Sequence, residues 1–500
     1  MDQGKKSSLD PIGDRLMAIF WRSAASSIGE RCRRRVSLRL VPFLFFLYIL
    51  AYIDRSNISV AMLGMQASPE NGGLGLSSEL IGLLSGIFFL GYWILEIPST
   101  LSVERWGVRW VFVRILVLWG LTATVTGAVG TPAMGTAMSV AFGWLLDMHN
   151  PGNQLKVLRF FLGFFEGGLF PSVIVYLAYW FRTEDRAKAI AGFALGMPLS
   201  MVVGNSLSSW LIEVRWFGVV GWRWVFIVEG VLPILAGVAT FFVLPNRPSE
   251  AGWLSDEEHG WLTAELDREH QQKQLARAHF GWRSHLLIVL LLTAVYFCQN
   301  ITIYGVNFFM PKIMAQWLPS LPYTVRLWLG FAGKMSAKVS LARQEHAAAV
   351  LAVLPYLVGT VAMIFNGRHS DRTRERTFHA VVPLLLVSGG MFVVSQLGGH
   401  PRLAILVMIF VVGSGVFTHI PAFWPMPSMF LGATAAASAI GFINMTGNLG
   451  GFVGPVIAGY SAKENNMDAA IRNLSPYAAM GAAILIAMDF YRRSKTRQKT

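Results

Sequence analysis

Two cysteines in 500 residues, Cys32 and Cys298, exclude a disulfide framework, and neither has a second cysteine beside it to begin a thiolate metal site. Charge is scarce as well: Asp, Glu, Lys and Arg make up 14% of the chain, against roughly 25% in soluble proteins. That deficit excludes an ordinary water-soluble fold. Acids are the scarcer sign, 28 against 42 Lys and Arg, giving a formal charge of +14. The excess does not point to nucleic acid, because the basic residues crowd particular loops instead of forming a stripe with interleaved aromatics. The chain has no His-Glu-x-x-His pair and no phosphate-binding glycine loop, so an enzyme is not indicated. Before Arg31 no apolar stretch of signal-peptide length occurs, and the first span is expected to act as its own anchor.

What is present is apolar: 54% of residues are hydrophobic, in runs of the roughly 20 residues needed to cross a hydrocarbon core of about 30 Å as helix. Spans are expected at about 40–65, 80–101, 109–129, 156–180, 187–211 and 222–244, and again at about 284–310, 347–366, 378–397, 402–422, 430–460 and 474–491. The fold class is therefore an all-α membrane protein with twelve transmembrane helices in two six-helix bundles. The domains are a basic tail (1–39), a first bundle (40–244), a polar linker (245–283), a second bundle (284–491) and a basic tail (492–500). The linker reads as solvated and partly helical, with Ser255 and Glu258 as a capping box.

Basic residues fix the orientation. Arg31, Arg33, Arg34, Arg35 and Arg39 precede the first span. Arg105 and Arg109 follow the second span, and Arg182, Arg186 and Lys188 the fourth. Arg368, Arg372, Arg374 and Arg376 follow the eighth, and Arg492, Arg493, Lys495, Arg497 and Lys499 the twelfth. With twelve spans all these lie on one side, which places both termini in the cytoplasm. The segment before the eighth span is discordant, with Arg326, Lys334, Lys338 and Arg343 on the outer side. The connections 131–155 and 318–345 are long and read as outer lids or padding.

An acidic residue followed by arginine recurs after the second helix of each half, in Glu104-Arg105 and Asp371-Arg372. Positive-inside charge explains the arginines but not the acids, so the pattern reads as a parallel duplication of a six-helix unit. Other motifs are Tyr52-Ile53-Asp54-Arg55-Ser56-Asn57, Phe88-Phe89-Leu90-Gly91-Tyr92 with Glu96-Ile97-Pro98-Ser99, and Arg159-Phe160-Phe161-Leu162-Gly163 with Glu166-Gly167-Gly168. Gly221-Trp222-Arg223-Trp224-Val225-Phe226 opens the sixth span, and Asn448-Leu449-Gly450-Gly451-Phe452-Val453-Gly454-Pro455 lies in the eleventh. On these motifs the chain, from about residue 40 to 490, resembles the major facilitator superfamily and within it the anion:cation symporter family. The resemblance implies import of an organic anion with protons. It also implies that the carboxylates Asp54 and Glu166 carry protons and that Arg55 takes the substrate.

The residues support that expectation independently. Ionisable groups at bilayer depth cost several kcal/mol unless paired or hydrated, which makes Asp54, Arg55, Arg159 and Glu166 functional candidates. Seven residues at about 100° each bring Arg159 and Glu166 to within roughly 20° of one helix face. Asp54 and Glu166 are expected to couple protons, and Arg55 to grip a carboxylate in two-pronged fashion. Further substrate contacts are expected from Tyr52, Tyr92, Arg159, Asn300, Tyr304, Trp424, Asn444 and Asn448. The second half offers only neutral polar groups, Gln299 and Asn307 among them. The competing structural reading is that Asp54–Arg159 or Arg55–Glu166 merely tie helices one and four together. Glu104 with Arg105 and Arg109, and Asp371 with Arg372, are expected to form cytoplasmic latches. The glycine pairs Gly163/Gly167 and Gly447/Gly451 read as close helix approach. Pro198, Pro421 and Pro425 read as kinks, and His419 as a satisfied histidine or a relay.

The expected function is a secondary active transporter importing a small carboxylate by proton symport. The alternative is a transporter-like membrane receptor or sensor. No cofactor or metal is expected beyond the proton as coupling ion. The partners are the organic anion and the lipid bilayer, with no nucleic acid, and the chain is expected as a monomer in the plasma membrane.

Overall fold

A computed structural model of the chain describes residues 27–182, 185–186, 189, 193, 196–276, 286–329, 337–431, 433–462 and 466–497. Among them every regular element is helical. The first half comprises α1 (Ile28–Ser56), α2 (Ile58–Met65), α3 (Ser78–Trp106), α4 (Val108–Thr126), α5 (Pro132–Phe142), α6 (Pro151–Glu166), α7 (Leu169–Ala178), α8 (Gly196–Glu213) and α9 (Gly221–Val243). The connecting helix α10 (Asp256–Ala276) follows. The second half comprises α11 (Leu286–Trp317), α12 (Ala337–Leu351), α13 (Val353–Thr373), α14 (Thr377–Gln396), the interrupted α15 (Pro401–Leu431), α16 (Ala433–Gly447), α17 (Gly450–Ser461) and α18 (Met467–Arg497).

Eleven helical stretches among the described residues are long and apolar enough to cross a membrane. Helix α8, in the region expected as the fifth span, does not qualify. Its described part starts at Gly196, and Asn205, Ser206, Ser208 and Ser209 dilute its apolar character. Among the described residues five spans are broken where the sequence suggested single helices. The first yields α1 and α2 around Asn57, the fourth α6 and α7 around Gly167-Gly168, the eighth α12 and α13 at Ala352, and the eleventh α16 and α17 at Asn448-Leu449, while α15 is interrupted at 417–419 and 424–425, beside Pro421 and Pro425. Pro198 lies inside the described part of α8. Non-helical backbone at membrane depth persists only where protein or a hydrated cavity satisfies it, so such breaks point to a chamber.

The halves meet most closely at the end away from the described termini. There the first turns of α3 face the last turns of α17: a Cβ on Gly82 would lie 2.9 Å from the Gly459 Cα, and one on Gly86 would lie 2.8 Å from the Phe452 carbonyl. The Lys312 ammonium of α11 donates across the same end to Gln66 Oε1 at 2.9 Å and Ser78 Oγ at 2.7 Å. Exposed aromatics ring both ends, Trp106 and Trp110 near the termini and Trp144, Phe217 and Trp328 opposite. Those are the levels at which amphipathic rings anchor in lipid headgroups.

The linker is not simply solvated. Ser255 and Glu258 form the reciprocal cap, Ser255 N–H to Glu258 Oε2 at 3.0 Å and Glu258 N–H to Ser255 Oγ at 3.3 Å. The same carboxylate pairs with Arg35 at 2.6 Å. Helix α10 thus lies against α1: Trp261 occupies the groove at Gly29, and Arg182 reaches Glu265 at 3.1 Å. The basic segment expected as a tail begins α1, which starts at Ile28; residues 1–26 lie outside the described residues. At the other end α18 runs on to Arg497, with Arg492 and Arg493 paired to Asp489. Of the long connections, 131–155 contains the largely exposed α5, and 318–345 contains a short helix, Tyr323–Trp328, and the start of α12. Of the discordant basic residues, Lys334 and the side chain of Lys338 lie outside the described residues.

Candidate functional site

The two breaks of the first half put two ions face to face. Arg55 lies two residues before the interruption at Asn57, and Glu166 ends α6 immediately before Gly167-Gly168. Gly168 sits at φ +92°, a conformation that only glycine adopts without cost, and it packs on Ser99 of α3. Gly163 approaches the Phe88 carbonyl, and Gly91 of α3 approaches the Phe160 carbonyl in return. Gly163 therefore serves close packing as its spacing suggested, whereas Gly167-Gly168 also turns the chain.

At this crossing Arg55 Nη2 pairs with Glu166 Oε1, both groups almost wholly buried. The guanidinium is enclosed by aromatic faces: its carbon lies 4.9 Å from the Tyr52 ring centre, 5.0 Å from Tyr92, 5.2 Å from Phe88 and 5.9 Å from Phe89. Such faces favour a cation that has given up water. From the second half, Tyr304 accepts from Arg55 Nη1 at 3.4 Å. Arg55 thus touches both halves.

Asp54 points elsewhere. Its Oδ2 accepts from Trp119 Nε1 at 2.6 Å and its Oδ1 from Asn57 Nδ2 at 3.0 Å, so neutral donors hold it. The expected alternative pairing of Asp54 with Arg159 is replaced by these contacts. Arg159 lies with its guanidinium 5.6 Å from the Phe88 ring centre, and its Nε donates to the Leu84 carbonyl at 3.4 Å. Its Nη1 and Nη2 have no hydrogen-bond partner, nor do Arg55 Nε and Glu166 Oε2. Buried polar atoms left so are expensive, and a cluster of them next to an ion pair marks a place for a polar guest.

The second-half candidates divide. Asn300 Nδ2 donates to the Gly447 carbonyl at 3.1 Å and to Asn448 Oδ1 at 3.4 Å, bringing Asn300 and Asn448 together. Trp424 packs on Tyr296 at 5.0 Å between ring centres. Gln299 and Asn307 are buried with side-chain atoms that find no partner. Asn444 lies one turn before Asn448, whose N–H donates to its carbonyl at 3.0 Å, but its side chain turns away. It donates across the halves to Glu96 Oε1 at 2.8 Å. Gly447 and Gly451 admit the rings of Tyr296 and Phe89. His419 lies buried in the break of α15.

Several buried ionisable side chains received no role in the reading of the sequence, and three of them make cross-helix contacts. Glu96 on α3 and Lys312 on α11 both bridge the halves, and Glu229 on α9 accepts from Ser208 Oγ at 2.6 Å. A scan for every ionisable residue inside the expected spans would have found Glu96 and Glu229; Lys312 lies two residues past the expected end of its span, on a helix that runs on to Trp317.

The latch pairings need correction. Glu104 and Arg105 are exposed. Arg109 turns to the start of the linker, its Nε donating to the Leu244 carbonyl at 2.9 Å and its guanidinium lying 3.6 Å from Glu250. In the second half Asp371 pairs with Arg376 at 2.7 Å instead of Arg372, because Arg374 adopts φ +55° and turns the chain back on the end of α13.

A family model described as the Major Facilitator Superfamily matches residues 44–455. A putative tartrate transporter of Agrobacterium vitis is 33% identical over 443 residues, covering 87% of this chain and 89% of that protein. The inner membrane transport protein RhmT of Escherichia coli (strain K12) is 32% identical over 454 residues, covering 90% and 94%. Among solved structures, the partially occluded inward open conformation of the xylose transporter XylE from E. coli superposes with a TM-score of 0.64 at 14% identity, covering 90% of this chain and 97% of that one. At that identity the likeness concerns the fold.

Proposed function

This chain belongs to the major facilitator superfamily, a family of solute transporters and not of enzymes, and from that premise we propose that it imports a small organic anion together with protons. It is a multi-pass integral membrane protein. In the proposed arrangement twelve spans form two halves, 40–244 and 284–491, joined by 245–283, with both ends in the cytoplasm of a monomer in the plasma membrane.

One observation carries the reading: a guanidinium buried among four rings, paired to a single carboxylate and touching the opposite half, beside a second buried arginine with two terminal nitrogens unpartnered. Arginine stays charged at any physiological pH, so Arg55 always requires an anion. When Glu166 takes a proton it ceases to be that anion, and a substrate carboxylate fills the place. Charge within the chamber is conserved by this exchange, which couples one proton to each carboxylate that Arg55 accepts. Arg159 supplies further donors, Tyr52 and Tyr92 wall the cation, and Asn300, Tyr304, Trp424, Asn444 and Asn448 read the substrate from the second half. Asp54, held by Trp119 and Asn57, is the second proton carrier. Arg105, Arg109, Glu104, Asp371 and Arg372 belong to the latch region on the cytoplasmic side. The names of the relatives, a tartrate transporter among them, support a carboxylate as cargo.

The test is uptake by proteoliposomes across labelled sugar acids, aromatic acids and dicarboxylates, with and without an imposed pH gradient. Accumulation of at least one acid that rises with inward proton force supports the proposal. Uptake of none, or uptake indifferent to the gradient, contradicts it.

A further inference from the structure

Glu96 is a buried carboxylate to which the exchange at Arg55 gives no task. Glu96 lies on α3 one helical turn beyond Tyr92, about 6 Å closer to the termini end of the molecule. It is 3% exposed, its Oε1 accepts from Asn444 Nδ2 of the other half at 2.8 Å, and its Oε2 has no partner. A buried ion held by one neutral donor is poorly compensated, and it stays in place only while the surrounding protein keeps it there.

Position gives the pair its meaning. At the far end the halves are clamped by the glycine crossing of α3 on α17 and by Lys312 on Gln66 and Ser78. In the middle Arg55 meets Tyr304. On the termini side of Arg55, α3 meets α16 through Glu96 and Asn444. To open the chamber toward the termini, α3 and α16 must part and this hydrogen bond must break. A single bond to a charged acceptor is strong enough to hold a closed state and weak enough to be broken in every cycle.

We propose that Glu96 and Asn444 form the gate that closes the chamber toward the termini end, with Glu96 as a positioning residue for transport. The proposal deepens the transport reading and rests on it. When the gate opens, water reaches the buried carboxylate, so the open state is stabilised by the hydration that the closed state denies Glu96. Asn444→Asp sets a carboxylate against a carboxylate and forces the gate open. Combining it with Glu96→Gln restores a donor and an acceptor with their places exchanged.

The experiment is amide hydrogen exchange on the full-length protein in lipid nanodiscs at pH 8, without ligand. Glu96→Ala and Asn444→Asp are each expected to raise exchange about tenfold in peptides covering 92–106 and 433–447. Peptides covering 78–88 and 452–461 should keep wild-type rates, and the Glu96→Gln/Asn444→Asp double variant should return the first set to them. Unchanged exchange in both single variants, an equal rise at both ends, or no rescue in the double variant would overturn the gate. Because no substrate is present, a silent uptake panel alongside the expected exchange pattern removes the transport reading and leaves the gate standing.

Discussion

Arg55 and Glu166 stand at two separate helix breaks and pair across the space between them. Neither break is accidental to the pairing. The ends of α1 and α6 bring backbone and side chain to the same depth, and the Gly167-Gly168 turn lets α7 leave without crowding α3. In the proposed exchange this ion pair is a structural tie in one state and a vacated guanidinium in the next.

Glu166→Gln should separate those two roles. The amide cannot exchange a proton but still accepts from Arg55, so reconstituted protein is expected to keep substrate exchange and lose accumulation under a pH gradient. Normal accumulation by this variant would assign the pair to structure alone.

Arg55→Lys keeps the charge but loses the planar fork that bridges Glu166 and Tyr304. Uptake is expected to fall by roughly 100-fold, the scale of a lost charge-assisted bond of about 3 kcal/mol. Tyr304→Phe, which removes only the 3.4 Å contact, should cost a few-fold. Equal losses in the two variants would argue against Arg55 as the main anchor.

Trp119→Phe preserves most of the packing at a fully buried position and deletes the shorter of the two hydrogen bonds to Asp54. Proton-driven uptake is expected to drop about tenfold with expression unchanged, since a hydrogen bond to a charged group contributes about 1.5–3 kcal/mol. Unaltered uptake would remove Asp54 from the coupling scheme.

Gly168→Ala meets both a positive φ and Ser99, and it should destabilise by about 2–4 kcal/mol, combining the left-handed penalty with overpacking. Gly260→Ala, in α10 with open space around it, should leave stability unchanged or raise it by roughly 0.5–1 kcal/mol. Thermal unfolding of the two variants checks the contrast.

The spans were legible because a run of about twenty apolar residues has few other uses, and the buried charges because each stands out within such a run. The partner choice was not. Of the two ion pairs the sequence suggested, Arg55–Glu166 forms and Asp54–Arg159 does not; helical spacing could not choose between them or send Asp54 to Trp119, since that depends on how α1, α4 and α6 cross. The spacing of Gly163 and Gly167 was read as packing alone, yet only the first does just that. Glu96 sat inside a quoted motif and near the expected end of a span, where a carboxylate passes for an interfacial residue. Its contact with Asn444 spans the two halves, and sequence distance carries no trace of it. The pairing of Asp371 with Arg372 gives way to Asp371 with Arg376 for a local reason, the left-handed turn at Arg374 that advances Arg376.

The measurement that bears most directly on the exchange of anions at Arg55 is proton entry recorded with a pH-sensitive dye inside proteoliposomes when an accepted acid is added outside. Wild-type protein should acidify the lumen in proportion to labelled acid taken up, and Glu166→Gln should admit the acid by exchange without acidification. Equal acidification in both, or acid uptake by wild type with no proton entry, would contradict the account.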